Sequence, residues 1–467
     1  MTDEAATAAS ERAARLKQAQ AAARDHRFGE ADGICRDLLA AYPDYAPALG
    51  LRGSIAASQG DLKLSVELLE TAVAAQPANL GLRSALCDAY RMSCRLDEAL
   101  ALAERVVRAQ PNHVGYMVNL AKVHSDRGEF DKALAAYLAV LAMDPDDANA
   151  HFGIGQILLT RGEFRAGWLE YEWRIKLEEH ARSRLPPIKA PIWNGMRMPK
   201  GGRVVLICDQ GFGDILQFAR YIPMVAERCG ELVIASADEV KELLQSVEGV
   251  DQIFTKWADV PGFSSYCLLS TLPYVFGTEL ETIPASIPYM RPDAVRVARW
   301  RERLADLPAA KRRVGLFWSG RTTHANNLRR SVALADLRPL ASLRDVQLIS
   351  IQKSLTSVDR AAMAVDWPDL IDFSAELTDF SETAALIANL DLLITVDSAV
   401  GHLAGAIGAP AWLMLASPSD WRWMLPPRED SPWYPTIRLF RQPHPGCWRD
   451  VVERVRAELE TVKRSGT

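Results

Sequence analysis

Leu390-Asp391-Leu392-Leu393-Ile394-Thr395-Val396-Asp397-Ser398-Ala399-Val400-Gly401-His402-Leu403-Ala404-Gly405 is the stretch on which the fold turns. An apolar strand runs into Asp397, and Ser398 and Ala399 then open a helix rich in small residues. The first N–H groups of such a helix have no intrahelical partner and favour anions, so a phosphate or diphosphate fits there. His402 follows Asp397 by five residues, one turn into the helix, within reach of a sugar or phosphate.

The same texture extends on both sides. Ala411 to Leu415 reads as the next strand, Phe380 to Ala388 as the preceding helix, and Arg313 to Gly320 and Val346 to Gln352 as earlier strands. Upstream, the β-branched run Arg203-Val204-Val205-Leu206-Ile207-Cys208 ends in Asp209-Gln210-Gly211-Phe212-Gly213-Asp214. A helix from Ile215 to Cys229 and the strand Glu231 to Ala235 follow. Strand, glycine-rich turn, helix, strand is the unit of a parallel sheet. The reading is two Rossmann-like halves, residues 203–292 and 313–467, joined by a connecting helix over 293–312, which is the GT-B arrangement of many nucleotide-sugar transferases. Ligands in such sheets bind beyond the carboxyl ends of the strands. Gly211 and Gly213 permit close backbone approach there, and Asp214 either caps its helix or serves as a general base. Arg321, Asn326, Asn327, Arg329 and Arg330 crowd the corresponding loop of the second half, where a guanidinium can pair phosphate. Trp421, Trp423, Trp433, Tyr434 and Phe440 form an aromatic segment that reads mainly as core.

Residues 182–202 read as a Pro-rich connector rather than a packed element. Before it, Pro43, Pro77, Pro111 and Pro145 recur every 34 residues. Phe28, Leu62, Leu96, Phe130 and Phe164 keep the same step, as do the small residues Ala31, Ser65, Ala99, Ala133 and Gly167, and Ala19, Gly53, Cys87, Ala121 and Gly155. This period resembles the tetratricopeptide repeat, five units of which fit over residues 1–181 as an all-α solenoid. Each Pro ends a helix because it lacks an N–H. The fifth unit is unusually aromatic, and Trp168, Tyr171 and Trp173 are expected to dock its open face onto the next domain. Such solenoids present a groove to extended protein partners. Tyr116, Asn119, His124, Asn149 and Phe152 are the candidate lining residues.

Composition narrows the class. The chain of 467 residues is 49% hydrophobic with a net charge of −5, which argues against bulk nucleic-acid binding. Its seven Cys are scattered without a C-x-x-C pair, which fits a reducing, cytoplasmic compartment, and neither a signal core nor a bilayer-spanning run is evident. No P-loop, His-Glu-x-x-His or paired-Cys site is present, so no metal site is expected, and without a Gly-x-Ser-x-Gly motif no hydrolase elbow is expected either.

Residues 203–441 resemble the heptosyltransferase-like glycosyltransferases, and more closely the bacterial proteins that join tetratricopeptide repeats to such a domain. The matching blocks are Tyr171-Glu172-Trp173-Arg174, Asp209 to Tyr221, Arg329-Arg330-Ser331, Leu390 to Gly405 and Arg428 to Pro435. The resemblance implies a metal-independent GT-B transferase that uses a nucleotide sugar as substrate and no cofactor. It implies that Asp214 is the base, that Asp397, Ser398 and His402 hold donor sugar and phosphates, and that Arg330 contacts phosphate. Ala399 stands where the family usually has Gly. Members of the repeat-bearing group include flagellin glycosyltransferases, whose repeats bind flagellin and whose transferase domain attaches a nonulosonic acid such as pseudaminic acid. The alternatives are a transferase acting on lipopolysaccharide or another polysaccharide, and a non-catalytic repeat scaffold.

Overall fold

The computed structural model describes residues 3–177, 188–308, 310–321 and 326–461. Two compact units result. One holds the chain up to Gly153 together with the segment ending at Leu328; the other holds Ile154–Arg321 and Arg329 onward. The boundary between the first and second units therefore falls inside a helix of the fifth repeat.

Ten helices realise the 34-residue period: α1 (Asp3–Arg24), α2 (Phe28–Ala41), α3 (Ala46–Ser58), α4 (Leu62–Ala75), α5 (Leu80–Met92), α6 (Leu96–Ala109), α7 (Val114–Asp126), α8 (Phe130–Met143), α9 (Ala148–Arg161) and α10 (Phe164–Tyr171). The periodic Phe or Leu is the first residue of every second helix. Each periodic Pro directly follows the C-cap of that helix: Tyr42, Gln76, Gln110 and Asp144. The small registers are where helices touch. Ala31, Ser65, Ala99 and Ala133 have no exposed surface, and a Cβ on Gly53 would lie 2.7 Å from Leu69. Gly60, Gly128 and Gly162 turn with φ of 85°, 74° and 82°. At the two equivalent turns non-glycine residues, His26 and Cys94, take φ of 58° and 61°.

The second unit carries two all-parallel sheets. The first has the order β3-β2-β1-β4, from β1 (Arg203–Ile207), β2 (Glu231–Ala235), β3 (Gln252–Phe254) and β4 (Ser265–Leu268). The second has the order β10-β9-β8-β5-β6-β7, from β5 (Arg312–Phe317), β6 (Val346–Ser350), β7 (Ile371–Asp372), β8 (Leu392–Val396), β9 (Ala411–Leu415) and β10 (Ile437–Arg441). Strand order reverses at β1/β4 and at β5/β8. Those are the switch points at which a doubly wound sheet opens a ligand crevice.

Three local expectations change. The helix expected over Ile215–Cys229 begins earlier and is broken: α11 (Phe212–Phe218), a 3₁₀ turn (Ala219–Tyr221), then α12 (Ile222–Ala226). Pro223 sits in the first turn of α12, where its missing N–H costs nothing, but it cannot continue α11. The end of the Pro-rich connector is packed rather than free: Ile192 bridges Tyr266 beside β4, and Trp193 is 2% exposed with its backbone N–H donating to Tyr266 O at 2.7 Å. Residues 182–187 of that connector lie outside the described residues. Finally, the aromatic face of α10 is only partly as expected. Trp168 and Tyr171 are buried, with the Trp168 indole donating to Thr278 O at 3.0 Å and meeting Trp421 edge-on at 5.2 Å. Trp173 is half-buried and carries Lys176 over its ring. Arg174 takes the buried place instead, donating to Ser270 Oγ and Thr271 Oγ1.

Candidate donor-and-base site

The loops after β1 and β8 approach each other because two helices pack at close range. These are α11 and the helix that follows β8, α13 (Ala399–Ala406). A Cβ on Gly213 would lie 2.9 Å from His402 Cδ2 and 3.7 Å from Ala399 Cα. Gly213 is thus a packing residue that lets the two halves meet. Gly211 is the N-cap of α11, with φ of −66°, and its Cβ position is obstructed only by Asp214 Oδ2 at 3.4 Å. Asp214 lies in the first turn of α11, three residues after the N-cap Gly211, and its carboxylate accepts from the Gly211 backbone N–H, so it helps to cap the helix.

The Asp214 carboxylate is engaged from the opposite half. Arg422 Nη2 donates to its Oδ1, while Arg422 Nη1 donates to Asp420 Oδ1 at 2.8 Å and Nε to Gln217 Oε1 at 2.6 Å. With its amide turned to suit its neighbours, Gln210 donates to Asp214 Oδ1 at 3.2 Å and accepts from Arg174 Nε at 3.0 Å. Burial raises the Asp214 pKa; Arg422 opposes this, and Asp420 and Asp209 add to it.

Asp397 follows the last residue of β8, and Ser398, the N-cap of α13, is 5% exposed with its hydroxyl 3.3 Å from Thr395 Oγ1. Burial and Asp420 push the Asp397 pKa up to about 6, with Arg330 and Arg422 pulling it back. Arg330 has a buried Nε without a hydrogen-bond partner. His402 does not lie open to a ligand. It is 4% exposed, its Nδ1 is 2.8 Å from the Tyr434 hydroxyl, and its ring stacks on Trp423 at 5.3 Å. Burial first, then Arg422, Arg220 and Arg330, hold it neutral, well below the usual histidine range.

Two buried arginines beside the site were not singled out from the sequence. Arg220 is 4% exposed, donates to Gln217 O (2.9 Å) and Trp433 O (2.9 Å), and lies over the rings of Tyr434, Tyr289 and Trp433, bolting one half to the other. Arg422 is 8% exposed between two buried tryptophans. The signal available was a charged residue inside Trp-Arg-Trp, a setting where arginine is buried only if paired. The surrounding aromatic residues are core, as expected: Trp421, Trp423, Trp433, Tyr434 and Phe440 are all at most 4% exposed.

In the repeats the five candidates part company. Asn119 Nδ2 donates to Ser84 Oγ at 2.9 Å, and Asn149 Oδ1 accepts from Lys122 Nζ at 3.3 Å, tying successive first helices together. Tyr116 stacks on His113 at 3.8 Å, and Phe152 is half-buried. His124 is 8% exposed and sits 2.7 Å from Glu129, bracing the turn after α7. Against the cost of burial, bonds from His124, Arg127 and Lys132 hold Glu129 at a pKa of about 2.

Comparison with known families follows this division. Tetratricopeptide repeat models match residues 16–79 and 118–166, and 56–122. The model described as glycosyltransferase family 9 (heptosyltransferase) matches residues 372–424, a span that contains Asp397, His402 and Arg422. The chain is therefore similar to tetratricopeptide-repeat proteins in its first third and to heptosyltransferases around Asp397. Protein FlbA of Caulobacter vibrioides is 27% identical over 330 residues, covering 63% of this chain and 52% of that protein, so the chain spans about half the length of that curated relative. Among solved structures, a thermophilic repeat protein of Thermus thermophilus is 21% identical over 36% of this chain and 92% of its own, with a TM-score of 0.33. MamA from MSR-1 is 20% identical over 37% and 98%, with a TM-score of 0.30. Among the described residues no helix is long and apolar enough to cross a membrane, and no three His, Cys, Asp or Glu side chains gather in a metal-ligating group.

Proposed function

We propose that the protein is a glycosyltransferase of GT-B type that moves a sugar from a nucleotide-sugar donor to a protein acceptor recognised by the repeats. The observation that carries this reading is the meeting of the β1 and β8 loops, each at a switch point of its own sheet, with Asp214 and Asp397 both in the field of Arg422. The amino end of α13 and the unpartnered Arg330 Nε suit the diphosphate of a donor and the charge that grows on it as it leaves. Asp214 takes the proton of the acceptor hydroxyl as that oxygen attacks the anomeric carbon. No step of this reading calls on a metal ion or a cofactor. Resemblance to the flagellin glycosyltransferases supports flagellin as the acceptor and a nonulosonic acid such as pseudaminic acid as the sugar, in the cytoplasm.

The test is calorimetry of the full-length protein against a panel of nucleotide sugars, followed by incubation of the best donor with flagellin and intact-mass measurement. A mass increment of one sugar per site is expected. Donor binding with transfer to lipopolysaccharide core but not to protein would replace this reading by the polysaccharide one, which the heptosyltransferase match favours. Binding of no nucleotide sugar would leave a scaffold.

A further inference from the structure

Arg422 stands on a short 3₁₀ turn, Trp421–Trp423, whose cap Asp420 accepts from the Arg422 N–H at 3.1 Å. The loop is held from below. Arg441 donates to Ser419 Oγ at 2.9 Å, to Met424 O at 3.1 Å and to Trp423 O. Met424 closes it with φ of 58°, a left-handed conformation costly for a side chain of that size. The Arg422 guanidinium lies over the Trp421 ring at 4.2 Å and spends three of its donors on Asp214, Asp420 and Gln217. Asp214 and Gln217 belong to α11 in the first half; Arg422 and Asp420 belong to the second. A planar fork bound on both edges fixes orientation as well as charge.

We propose that Arg422 is a positioning residue: reaching from the donor half, it orients the Asp214 carboxylate on the other half and sets a guanidinium charge against it, so that the base is placed only where the two halves meet. This rests on the transferase reading for its consequence in turnover, though not for the contact itself. The charged and titratable groups facing Asp214 are Asp209 from its own loop, Tyr171 and Arg174 from the fifth repeat and the turn after it, and Arg422 and Asp420 from the second half. His402 packs beside it, against Gly213. Arg422 is the cation in direct contact with the carboxylate, and Asp420 is the anion that competes for the same guanidinium.

Two substitutions therefore push in opposite directions. Protein labelled with ¹³Cγ aspartate gives the Asp214 titration directly, the signal being assigned by its loss in Asp214→Asn. In Arg422→Gln the Asp214 midpoint moves up by about one pH unit or more, the effect of losing an adjacent cation. In Asp420→Asn it moves down, and in Arg422→Lys, which keeps the charge but not the fork, it stays within about half a unit of wild type. The acid limb of single-turnover transfer follows the same order. Asp420→Asn and Arg422→Lys keep the test alive should Arg422→Gln fail to fold. A midpoint that stays put in all three folded variants, or that moves the same way in Arg422→Gln and Asp420→Asn, overturns the proposal. A midpoint that moves while the transfer limb does not overturns Asp214 as the base and leaves the hold of Arg422 standing.

Discussion

Gly213 and His402 touch: no side chain fits between them, because a Cβ on Gly213 would meet His402 Cδ2 at 2.9 Å. The contact joins α11 of one half to α13 of the other. It turns two sequence motifs, each read as a ligand loop, into one packed interface.

Gly213→Ala is therefore expected to destabilise the protein by about 1–3 kcal/mol, the range for overpacking a tight site. Gly211→Ala meets ordinary space at a φ open to any residue, and should change stability by less than about 0.5 kcal/mol. If Gly211 serves close backbone approach to a donor, that variant loses nucleotide-sugar affinity while its melting temperature holds. Thermal melts and calorimetry on both variants decide the matter.

If Asp214 is the base, Asp214→Asn removes the basicity and keeps the shape. Turnover is expected to fall by at least ~10²-fold, the lower bound for positioned proton transfer, with donor affinity little changed. Single-turnover assays check this. An Asn variant within about tenfold of wild type places the base elsewhere.

Asp397 should make the protein less stable at neutral pH. Its folded pKa of about 6 lies above the ordinary 3.8, so the folded state favours the protonated acid. The cost is absent below about pH 4, grows as pH rises through 6 and is complete above it. Asp397→Asn should accordingly gain on the order of 1–3 kcal/mol over wild type at pH 8 and nothing at pH 4, read from urea unfolding at the two values. The same substitution should weaken donor binding if Asp397 accepts from the sugar. Equal gains at both pH values would show that ionisation of Asp397 is not what the site strains against.

Cys94 and His26 occupy the left-handed turn position that Gly60, Gly128 and Gly162 fill elsewhere. Relieving a side chain of that conformation is worth roughly 1 kcal/mol. Cys94→Gly and His26→Gly are each expected to raise the melting temperature of the repeats. A decrease in either would mean that the side chain makes compensating contacts, such as the edge-on packing of His26 on Phe28 at 5.2 Å.

Trp168→Ala opens the aromatic cluster formed with Trp421, Phe218 and Trp433. A loss of about 3–5 kcal/mol is expected in unfolding of the second unit, as for other buried large-to-small changes. A fragment ending near residue 181 would expose the same face, so recognition by the repeats is better tested in the full chain carrying substitutions at Tyr116 or Asn149. Retention of the acceptor by those variants would argue against a recognition role for that surface.

Periodicity is a local property, and it was readable in the chain alone. The 34-residue spacing of Pro43 to Pro145 located ten helices, because a missing N–H and a small contact residue act wherever they occur. The runs at Val204 and Leu392 located the central strands for the same reason: an apolar segment followed by a turn signal needs no distant partner to be recognised. Short strands such as Ser265–Leu268, with little apolar length, were not legible, nor was the packing of Trp193 beside them. What only the tertiary structure decided is which groups share one electrostatic environment. Asp214 and Arg422 are 208 residues apart in sequence and in contact in space. The burial of His402 against Tyr434 and Trp423 was likewise not legible, and Arg174 replaced Trp173 as the buried residue after α10. A side chain's charge state and exposure depend on everything that surrounds it, and those neighbours come from strands and helices whose order in the sheet the linear chain does not display.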